Sequence, residues 1–471
     1  MSKKESSIFD VRTLKDIHAE IKEVYLSDSR PWIIGFSGGK DSTAALQLIW
    51  YAISELPKSS RQKPIYVISS DTLVETPIIV GHVDSTLERI NKSALDQEMP
   101  FHTQKVKPIT SETFWTNLIG RGYPAPSKAF RWCTERMKIR PADRFILEKV
   151  SQFGEVVLVL GVRKSESTTR AQVMSLYEIK GSPLSRHSRF SGTYVYTPIK
   201  DFSLDDVWAY LLQTPSPIGN NNRDLLALYQ SANSGECPLV VDKTTPSCGN
   251  SRFGCWVCTV VAQDKTIEGL IDSGQEWLEP LFQLRNYLAA TQDPNVKHLY
   301  REYRRRDGTV RRHRNGSGTI VPGPYTLDFC KQVLKKLLEA QLEVRRKGPD
   351  PNLTLITSEE LHEIRRLWRS ERGDWEDSVP MIYHEVTGGD MAWIRDDIGH
   401  FTSEEARILD ELCVARNVPT RLIIKLLSAE QLSQGMKRRS SIYASIDKIL
   451  REEWRPENEL TKESIRVMGG D

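Results

Sequence analysis

The strongest constraint on the fold is a short apolar run that leads through a glycine-rich turn directly into an amphipathic helix. Residues 31–36 (PWIIGF) predict a buried strand, residues 37–42 (SGGKDS) a tight turn, and residues 43–56 a helix with one apolar face. Three later segments also predict strands and alternate with helical patterns, namely 64–70, 101–108 and 155–161. This alternation is typical of a parallel sheet with crossover helices, so we predict an α/β fold.

The composition excludes an integral membrane protein and indicates a reducing compartment. The mean hydropathy of the 471 residues is −0.43, and no run approaches the ~18 uninterrupted apolar residues of a spanning helix. The first residues, MSKKESSIFD, contain no apolar signal-peptide core. Seven cysteines are an odd number in a long chain without a secretion signal, which favours metal-binding or catalytic thiols over disulfides. We therefore expect a cytoplasmic protein that does not contact a membrane.

Changes in composition along the chain predict three regions. Residues 1–214 contain the alternation of strands and helices and form the predicted α/β core. Residues 215–262 are rich in proline, glycine, serine and asparagine, and they contain four of the seven cysteines. From 263 to 471 the strand patterns fade and helical patterns dominate, so we predict a mostly helical C-terminal region.

The turn at 37–42 has the residue types of a phosphate site. A strand that ends in a glycine turn before a helix directs backbone N–H groups and the positive helix end at one point. The two glycines allow a tight turn, the lysine supplies a charge for pyrophosphate, the serines supply hydroxyl donors, and the aspartate is a candidate ligand of Mg²⁺. The six residues are Ser37, Gly38, Gly39, Lys40, Asp41 and Ser42. Their spacing is not that of a Walker P-loop. The alternative interpretation is an ordinary turn with a capping serine.

Four cysteines lie close together in the second region with the spacing C-x10-C-x6-C-x2-C. A C-x2-C pair is a usual element of both zinc and iron–sulfur sites. Four sulfur ligands without a nearby histidine leave tetrahedral zinc and a [4Fe–4S] cluster as candidates, which the spacing alone does not separate. Unliganded, packed cysteines are the third possibility. The four residues are Cys237, Cys248, Cys255 and Cys258.

Cys133 stands apart from the four and is surrounded by cations in the sequence. Arg131, Arg136, Lys138 and Arg140 flank it. Neighbouring positive charge favours the thiolate, which is the nucleophilic form. The functional interpretation is a nucleophilic or sulfur-carrying cysteine, and the alternative is a packed cysteine beside substrate-binding cations.

A basic segment at 297–314 is a candidate nucleic-acid contact. It contains eight lysines and arginines against two acidic residues, with Tyr300 and Tyr303 among them. Clustered arginines with interleaved aromatics suit a phosphate backbone. The alternative is a surface loop that forms ion pairs with its own domain.

At three places the sequence resembles the adenine nucleotide alpha-hydrolase superfamily. SGGKDS after the first strand resembles the superfamily's PP-loop, and LGVRKSESTTR (160–170) resembles the G-x-R-x-x-E-S stretch of its PAPS reductase branch. The stretch SSDTLVETP (69–77) follows the second strand, where this group contacts adenosine. The resemblance implies an adenine nucleotide alpha-hydrolase-like core. The additional nucleotide-binding residues that it implies are Asp71, Thr72, Gly161, Arg163 and Glu166.

Together with the cysteine spacing and the helical tail, these motifs resemble the DndC family of bacterial DNA phosphorothioation proteins, over roughly residues 10–340. The resemblance implies an ATP pyrophosphatase that uses ATP and Mg²⁺ and binds a [4Fe–4S] cluster, in preference to zinc, through the four clustered cysteines. It implies a cysteine desulfurase as sulfur donor, companion phosphorothioation proteins, and DNA contacted directly or through partners. The catalytic candidates are Lys40, Asp41, Cys133 and Arg163.

Three alternatives remain open. PAPS or APS reductases share the nucleotide motif, but Trp132-Cys133 stands where their iron–sulfur forms have a Cys-Cys pair, and the C-terminal residues TKESIRVMGGD lack their catalytic cysteine motif. A tRNA thiolase would use the same PP-loop chemistry. A non-catalytic, nucleotide-sensing iron–sulfur scaffold is the alternative of another class.

Overall fold

The computed structural model describes residues 7–166, 168–231, 254–313, 319–394, 402–433, 440–457 and 459–460. The chain forms two compact units. The first consists of Met1–Ile109 and Arg131–Phe282, and the second of Thr110–Phe130 and Gln283–Asp471. Among the described residues, no helix is long and apolar enough to cross a bilayer.

A six-stranded sheet forms the centre of the first unit. Its order is β3-β2-β1-β4-β6-β5, and every pair is parallel except β5 with β6. The strands are β1 Trp32–Gly35, β2 Ile65–Ser70, β3 Phe101–Val106, β4 Val156–Leu160, β5 Leu184–Arg186 and β6 Thr193–Tyr196. The predicted α/β class with a parallel sheet is therefore confirmed.

Helices cover both faces of this sheet, because β1, β2 and β4 carry apolar side chains on both faces, and both faces must be shielded from water. Ile146 of α4 packs with Ile33 and Leu158 on one face, while α1, α2 and α3 pack on the other. The helices up to residue 272 are α1 Leu14–Leu26, α2 Lys40–Ser54, α3 Pro77–Asp96, α4 Arg140–Phe153, α5 Thr168–Leu176, α6 Leu204–Gln213, α7 Asn222–Ser231 and α8 Lys265–Asp272. A π-helical turn, Thr134–Ile139, leads directly into α4.

Residues 163–200 look polar and loop-like in the sequence, but the described part of this stretch contains α5, β5 and β6. Both strands are short, three and four residues, so their alternation is too brief to stand out. β6 is instead defined by its parallel pairing with β4, which is a long-range contact.

The remaining elements of the described residues are helical, as predicted for the C-terminal region. They are α9 Glu279–Ala290, α10 Lys297–Tyr300, α11 Leu327–Lys347, α12 Ser358–Glu371, α13 Ser378–Thr387, α14 Ser403–Val414, α15 Thr420–Ser433 and α16 Ser440–Leu450. Within the second unit, two buried indoles secure the segment 110–130. Trp115 donates to the Leu355 carbonyl at 2.8 Å, and Trp368 donates to the Ile119 carbonyl at 2.9 Å.

The end of β4 approaches the start of α2 so closely that only glycine fits. A Cβ atom on Gly161 would lie 2.6 Å from the carbonyl oxygen of Asp41 and 2.9 Å from the Cα atom of Ser42. Both neighbours are backbone, which cannot move without displacing the first turn of the helix. Gly161 therefore sets the distance between two loops at the carboxyl edge of the sheet, the edge where open α/β folds bind ligands.

We predict that Gly161→Ala destabilises the protein by about 1–3 kcal/mol, because the added methyl group overpacks the β4–α2 contact. Gly81→Ala is the matched control, since Gly81 is within α3 and a Cβ atom there would have no neighbour within 4 Å. At position 81 the same methyl group should stabilise the protein by about 0.5–1 kcal/mol. Urea unfolding measures both. If the two substitutions changed the free energy of unfolding equally, the close contact between Gly161 and the start of α2 would be contradicted.

Candidate functional site

The turn between β1 and α2 is fixed by its own hydroxyl groups and by one left-handed residue. Gly38 has φ +74°, and a Cβ there would lie 2.7 Å from the Val83 side chain. The Ser37 N–H donates to the Ser42 hydroxyl at 3.2 Å, and that hydroxyl donates to the Gly39 carbonyl at 3.0 Å. Gly39 is the N-cap of α2. The turn therefore presents the N-terminal end of α2, with its partial positive charge, at the carboxyl edge of the sheet.

Asp41 is held between two cations. Its Oδ1 accepts a 2.6 Å hydrogen bond from Arg163 Nε, and its Oδ2 lies 3.2 Å from Lys40 Nζ. Arg163 is only 6% exposed, so this ion pair is largely shielded from solvent screening. The predicted residues Lys40, Asp41 and Arg163 therefore meet in space, although 122 positions separate the latter two. The role of Asp41 as a Mg²⁺ ligand stays a prediction.

Gly161 and Glu166 follow β4, as the motif requires. Gly161 touches the backbone of Asp41. Glu166 ends a 3₁₀ turn, its N–H donates to the Arg163 carbonyl at 3.3 Å, and the residue is exposed. The structure therefore places Gly161 and Arg163 against the turn, with Glu166 on the adjoining surface.

Two further residues contact the turn and are not evident in the sequence. The Lys40 N–H donates to the Tyr229 hydroxyl at 3.4 Å, and Lys40 Nζ lies 5.2 Å from the centre of the Tyr229 ring. His82 of α3 is half-buried beside Gly38. Burial lowers the pKa of His82, while its hydrogen bond to the Gly38 backbone and the charge of Asp224 oppose this. No local pattern singles out either residue, because each reaches the turn from a distant helix.

Asp71 and Thr72, the candidate adenosine contacts, lie at the end of β2. Asp71 Oδ2 is 3.2 Å from Lys105 Nζ and 3.4 Å from Lys107 Nζ. Thr72 is fully buried, and its hydroxyl lies 3.3 Å from Cys255 Sγ. The residues that follow β2 therefore contact two groups, the lysines around Asp71 and the segment that contains Cys255.

Cys255 packs against the residues that follow β2. It forms an antiparallel bridge with Glu75, and the Trp256 N–H donates to the Val74 carbonyl at 3.0 Å. Although part of Cys255 is exposed, burial of its thiol raises the pKa of Cys255 to about 12, an effect that the Lys138 ammonium opposes. The buried thiol is therefore protonated near neutral pH unless a cation or a metal ion stabilises the thiolate.

Cys133 lies near Cys255 and Cys258. The position of Cys133 in the sequence does not indicate this proximity. Burial raises the pKa of Cys133, and the nearby Cys258 thiol raises it further. Lys138 interacts with all three thiols, and the Cys255 thiol is the largest cause of its raised pKa. Cys237 and Cys248 lie outside the described residues. Within the described ranges, no three histidine, cysteine, aspartate or glutamate side chains are arranged to hold a metal ion.

Arginines of the basic segment contact their own unit. Arg304 lies 5.0 Å from the Trp454 ring and donates to the Glu453 carbonyl at 3.2 Å. Arg306 donates to Glu371 at 3.1 Å, and Arg312 donates to the Leu460 carbonyl at 3.0 Å. These contacts agree with the interpretation of this segment as a surface loop paired with its own domain. Direct DNA contact by the segment stays a prediction.

Comparison with known proteins shows what the part of the chain that contains the site is similar to. Residues 31–261, just under half of the chain, match the model of the phosphoadenosine phosphosulfate (PAPS) reductase domain family, so this part of the chain is PAPS reductase-like. An uncharacterized protein of Methanocaldococcus jannaschii is 28% identical over 238 residues. That alignment covers 50% of this chain and only 38% of the archaeal protein.

Two solved structures are similar at low sequence identity. PAPS reductase from Candida auris, in a phosphate complex, is 17% identical and covers 45% of this chain and 92% of its own, with a TM-score of 0.28. The FMN adenylyltransferase of Candida glabrata, in complex with FAD and inorganic pyrophosphate, is 13% identical. It covers 50% of this chain and 64% of its own, also with a TM-score of 0.28.

We predict that Arg163→Ala costs about 3 kcal/mol, because it removes one partner of a shielded ion pair. The neighbouring Lys164→Ala is the control, since Lys164 pairs with Asp201 at an exposed site and should contribute at most ~1 kcal/mol. Urea unfolding of the two variants gives the comparison. If Arg163→Ala were as stable as Lys164→Ala, the pair with Asp41 would not secure the site.

A second prediction concerns the pH dependence of stability. The pKa of His82 is lowered from 6.5 in the folded chain, so the unfolded state binds a proton first as the pH falls. The contribution of His82 to stability is therefore present above pH 6.5 and is lost as the pH falls through the folded pKa.

The test is urea unfolding between about pH 8 and about pH 5. His82→Gln should lose less stability over this range than the unmodified protein. His102→Gln, at an exposed position of β3, should keep the original slope. Identical pH profiles for His82→Gln and the unmodified protein would show that His82 is not buried against the turn.

Proposed function

We propose that the PAPS reductase-like domain binds ATP at the β1–α2 turn and cleaves the bond between its α- and β-phosphates. We further propose that the chain is the ATP pyrophosphatase of bacterial DNA phosphorothioation, in which the DNA backbone is activated by adenylation for sulfur incorporation. The observation that supports this most directly is the cationic arrangement at the start of α2, where Lys40 and Arg163 flank Asp41.

The geometry suits a leaving pyrophosphate. The N-terminal end of α2 favours anions, and Lys40 adds a full charge at the same point. Arg163 is held in place by Asp41 and by the Ser165 hydroxyl, to which Arg163 Nη1 donates at 3.0 Å. A fixed guanidinium stabilises charge that develops during reaction without having to reorganise. Mg²⁺ bound with the nucleotide would neutralise phosphate charge, and Asp41 is the candidate protein ligand.

Adenylation solves a chemical problem, because a phosphodiester oxygen does not leave readily as oxide or hydroxide. A non-bridging oxygen of DNA attacks the α-phosphorus of ATP, and pyrophosphate leaves. The terminal sulfur of a cysteine persulfide then attacks the activated DNA phosphorus, and AMP leaves. A second thiol cleaves the remaining S–S bond, so that the phosphorothioate is released and a protein disulfide remains. The order of these steps is part of the proposal.

The thiols supply the second half of the proposed reaction. Cys133 is the proposed sulfur carrier, because it lies near Cys255, Cys258 and the Lys138 ammonium. Cys255 and Cys258, with Cys237 and Cys248, are the proposed ligands of a [4Fe–4S] cluster, because a C-x2-C pair is a usual element of iron–sulfur sites. A bound cluster would supply iron that stabilises thiolates. The proposed partners are a cysteine desulfurase as sulfur donor and companion phosphorothioation proteins.

The family match favours PAPS reduction as the second candidate function. That reaction would release sulfite from PAPS with a thiol reductant and would leave DNA unmodified. Sulfite release from PAPS, without pyrophosphate release from ATP, would therefore support the reductase and contradict the proposal.

We predict that the protein, supplied with ATP, Mg²⁺, duplex DNA and a persulfide donor, produces AMP and pyrophosphate. Lys40→Ala should lower kcat by about 10²–10³-fold, because it removes a charge that stabilises the departing pyrophosphate. Lys58→Ala is the control, because Lys58 is an exposed lysine of the same domain, paired with Glu98. ADP and inorganic phosphate as products would contradict cleavage at the α-phosphate.

A further inference from the structure

Two contacts join α7 to one face of α2. Gln47 Nε2 donates to Asn222 Oδ1 at 2.7 Å, and Asn222 Nδ2 donates back to Gln47 Oε1 at 3.1 Å. At the other contact, the Lys40 N–H donates to the Tyr229 hydroxyl at 3.4 Å. In each helix the two contact residues are seven positions apart, which is about two turns, so they lie on one helical face. The two contacts therefore place α7 along α2 in a single register.

The buried amide pair fixes this register. Gln47 is only 1% exposed and Asn222 only 5%. Asn222 Nδ2 also donates to the carbonyls of Leu211 at 2.8 Å and Thr214 at 3.1 Å. If α7 shifted along α2 by one residue, these buried amide groups would lose their partners, which is unfavourable. Contacts outside the glycine turn therefore bring Tyr229 to the start of α2.

The Tyr229 ring is held in place independently of Lys40. Tyr229 is buried, and the fully buried Trp208 packs edge-to-face against it, with ring centres 5.3 Å apart and 87° between the ring planes. Lys40 Nζ lies 5.2 Å from the centre of the Tyr229 ring, and the lysine side chain is only 13% exposed. An ammonium group is attracted to an aromatic face, and the attraction grows when water is excluded. The ring therefore gives the Lys40 ammonium a fixed aromatic support.

The ring acts on Lys40 differently from Asp41. Asp41 Oδ2 lies 3.2 Å from Lys40 Nζ, where it engages one of the three N–H groups of the ammonium. The aromatic face attracts the positive charge as a whole and leaves the N–H groups available. The carboxylate and the ring together confine the ammonium while donors remain for phosphate oxygens. Because the Tyr229 hydroxyl contact of 3.4 Å is long for a hydrogen bond, the ring is the more important part of Tyr229.

We infer that Tyr229 is a positioning residue of the nucleotide site, whose ring holds the Lys40 ammonium where it meets the phosphates that leave as pyrophosphate. This inference rests on the proposed function, because it takes a pyrophosphate group as the ligand of Lys40. Tyr229 acts through the lysine and does not itself contact the reacting atoms. Its effect on pyrophosphate binding should therefore disappear when the lysine is removed.

The test measures the binding of inorganic pyrophosphate with Mg²⁺ to the full-length protein by isothermal titration calorimetry, without ATP. Tyr229→Leu removes the ring, and Tyr229→Phe keeps the ring but removes the hydroxyl. Each substitution is made in the unmodified protein and in Lys40→Ala. Tyr194→Leu is the matched control, because the Tyr194 ring also contacts a cation, 4.2 Å from Arg30 Cζ. Tyr194 pairs with Val157 near the start of β4, at the opposite end of the strand from Gly161.

Tyr229→Leu should weaken pyrophosphate binding by about 10-fold, because the ammonium loses its aromatic support at a shielded site. Tyr229→Phe should stay within about 3-fold of the unmodified protein, since the ring remains. In Lys40→Ala, the further substitution Tyr229→Leu should cause no additional loss of affinity, because the tyrosine acts only through the lysine. Tyr194→Leu should bind pyrophosphate as the unmodified protein does.

Equal affinity of Tyr229→Leu and the unmodified protein would overturn the inference. So would a loss that persisted at full size in Lys40→Ala, because it would show a merely structural role. Melting temperatures report whether the variants fold. If Tyr229→Leu did not fold, phenylalanines of increasing fluorination at position 229 would keep the shape of the ring and weaken its negative face. Pyrophosphate affinity should then fall stepwise with fluorination, and an unchanged affinity would overturn the inference.

This readout is separate from the test of the proposed function, which measures the products formed from ATP. A protein that bound pyrophosphate through Lys40 and Tyr229 but formed ADP from ATP would retain the inference and lose the proposed function. A protein that released pyrophosphate from ATP, with a pyrophosphate affinity that ignored Tyr229, would show the reverse. A protein that bound no pyrophosphate at all would contradict both.

Discussion

The ion pair between Asp41 and Arg163 is the interaction on which the candidate site depends. It joins the first turn of α2 to the loop after β4, and the same carboxylate also contacts Lys40. Because Arg163 is buried, its charge is held near the turn at a fixed position and little of it is screened by water. Gly161 is required for the same reason, since any larger residue would separate the two loops that the ion pair connects.

The parts of the site that the sequence predicts are those encoded locally. The apolar run at β1, the glycine turn and the amphipathic α2 follow one another directly, so residue type and spacing are sufficient to predict them. The resemblance of residues 160–170 to a nucleotide-binding family predicts Arg163 and Gly161, and the structure places both against the turn. The parallel sheet follows because helices alternate with buried strands, which fixes the class of fold.

The remaining features arise from packing between distant segments. Tyr229 and His82 reach the turn from α7 and α3, and nothing in their local sequence distinguishes them from ordinary helix residues. Cys133 lies more than a hundred positions from Cys255, yet their thiols influence each other electrostatically. The strands β5 and β6 are too short for a recognisable alternation and are defined by pairing. Sequence patterns predict elements, whereas these contacts depend on how the elements pack.

The central claim is that the turn at Ser37–Ser42 holds ATP with its α–β phosphate bond beside Lys40 and Arg163. A crystal structure of the protein with Mg²⁺ and an ATP analogue that cannot be cleaved between the α- and β-phosphates tests this most directly. The account predicts phosphate oxygens within hydrogen-bonding distance of the first N–H groups of α2 and of Lys40 Nζ. A nucleotide bound at any other place in the chain, or no nucleotide at saturating concentration, would contradict it.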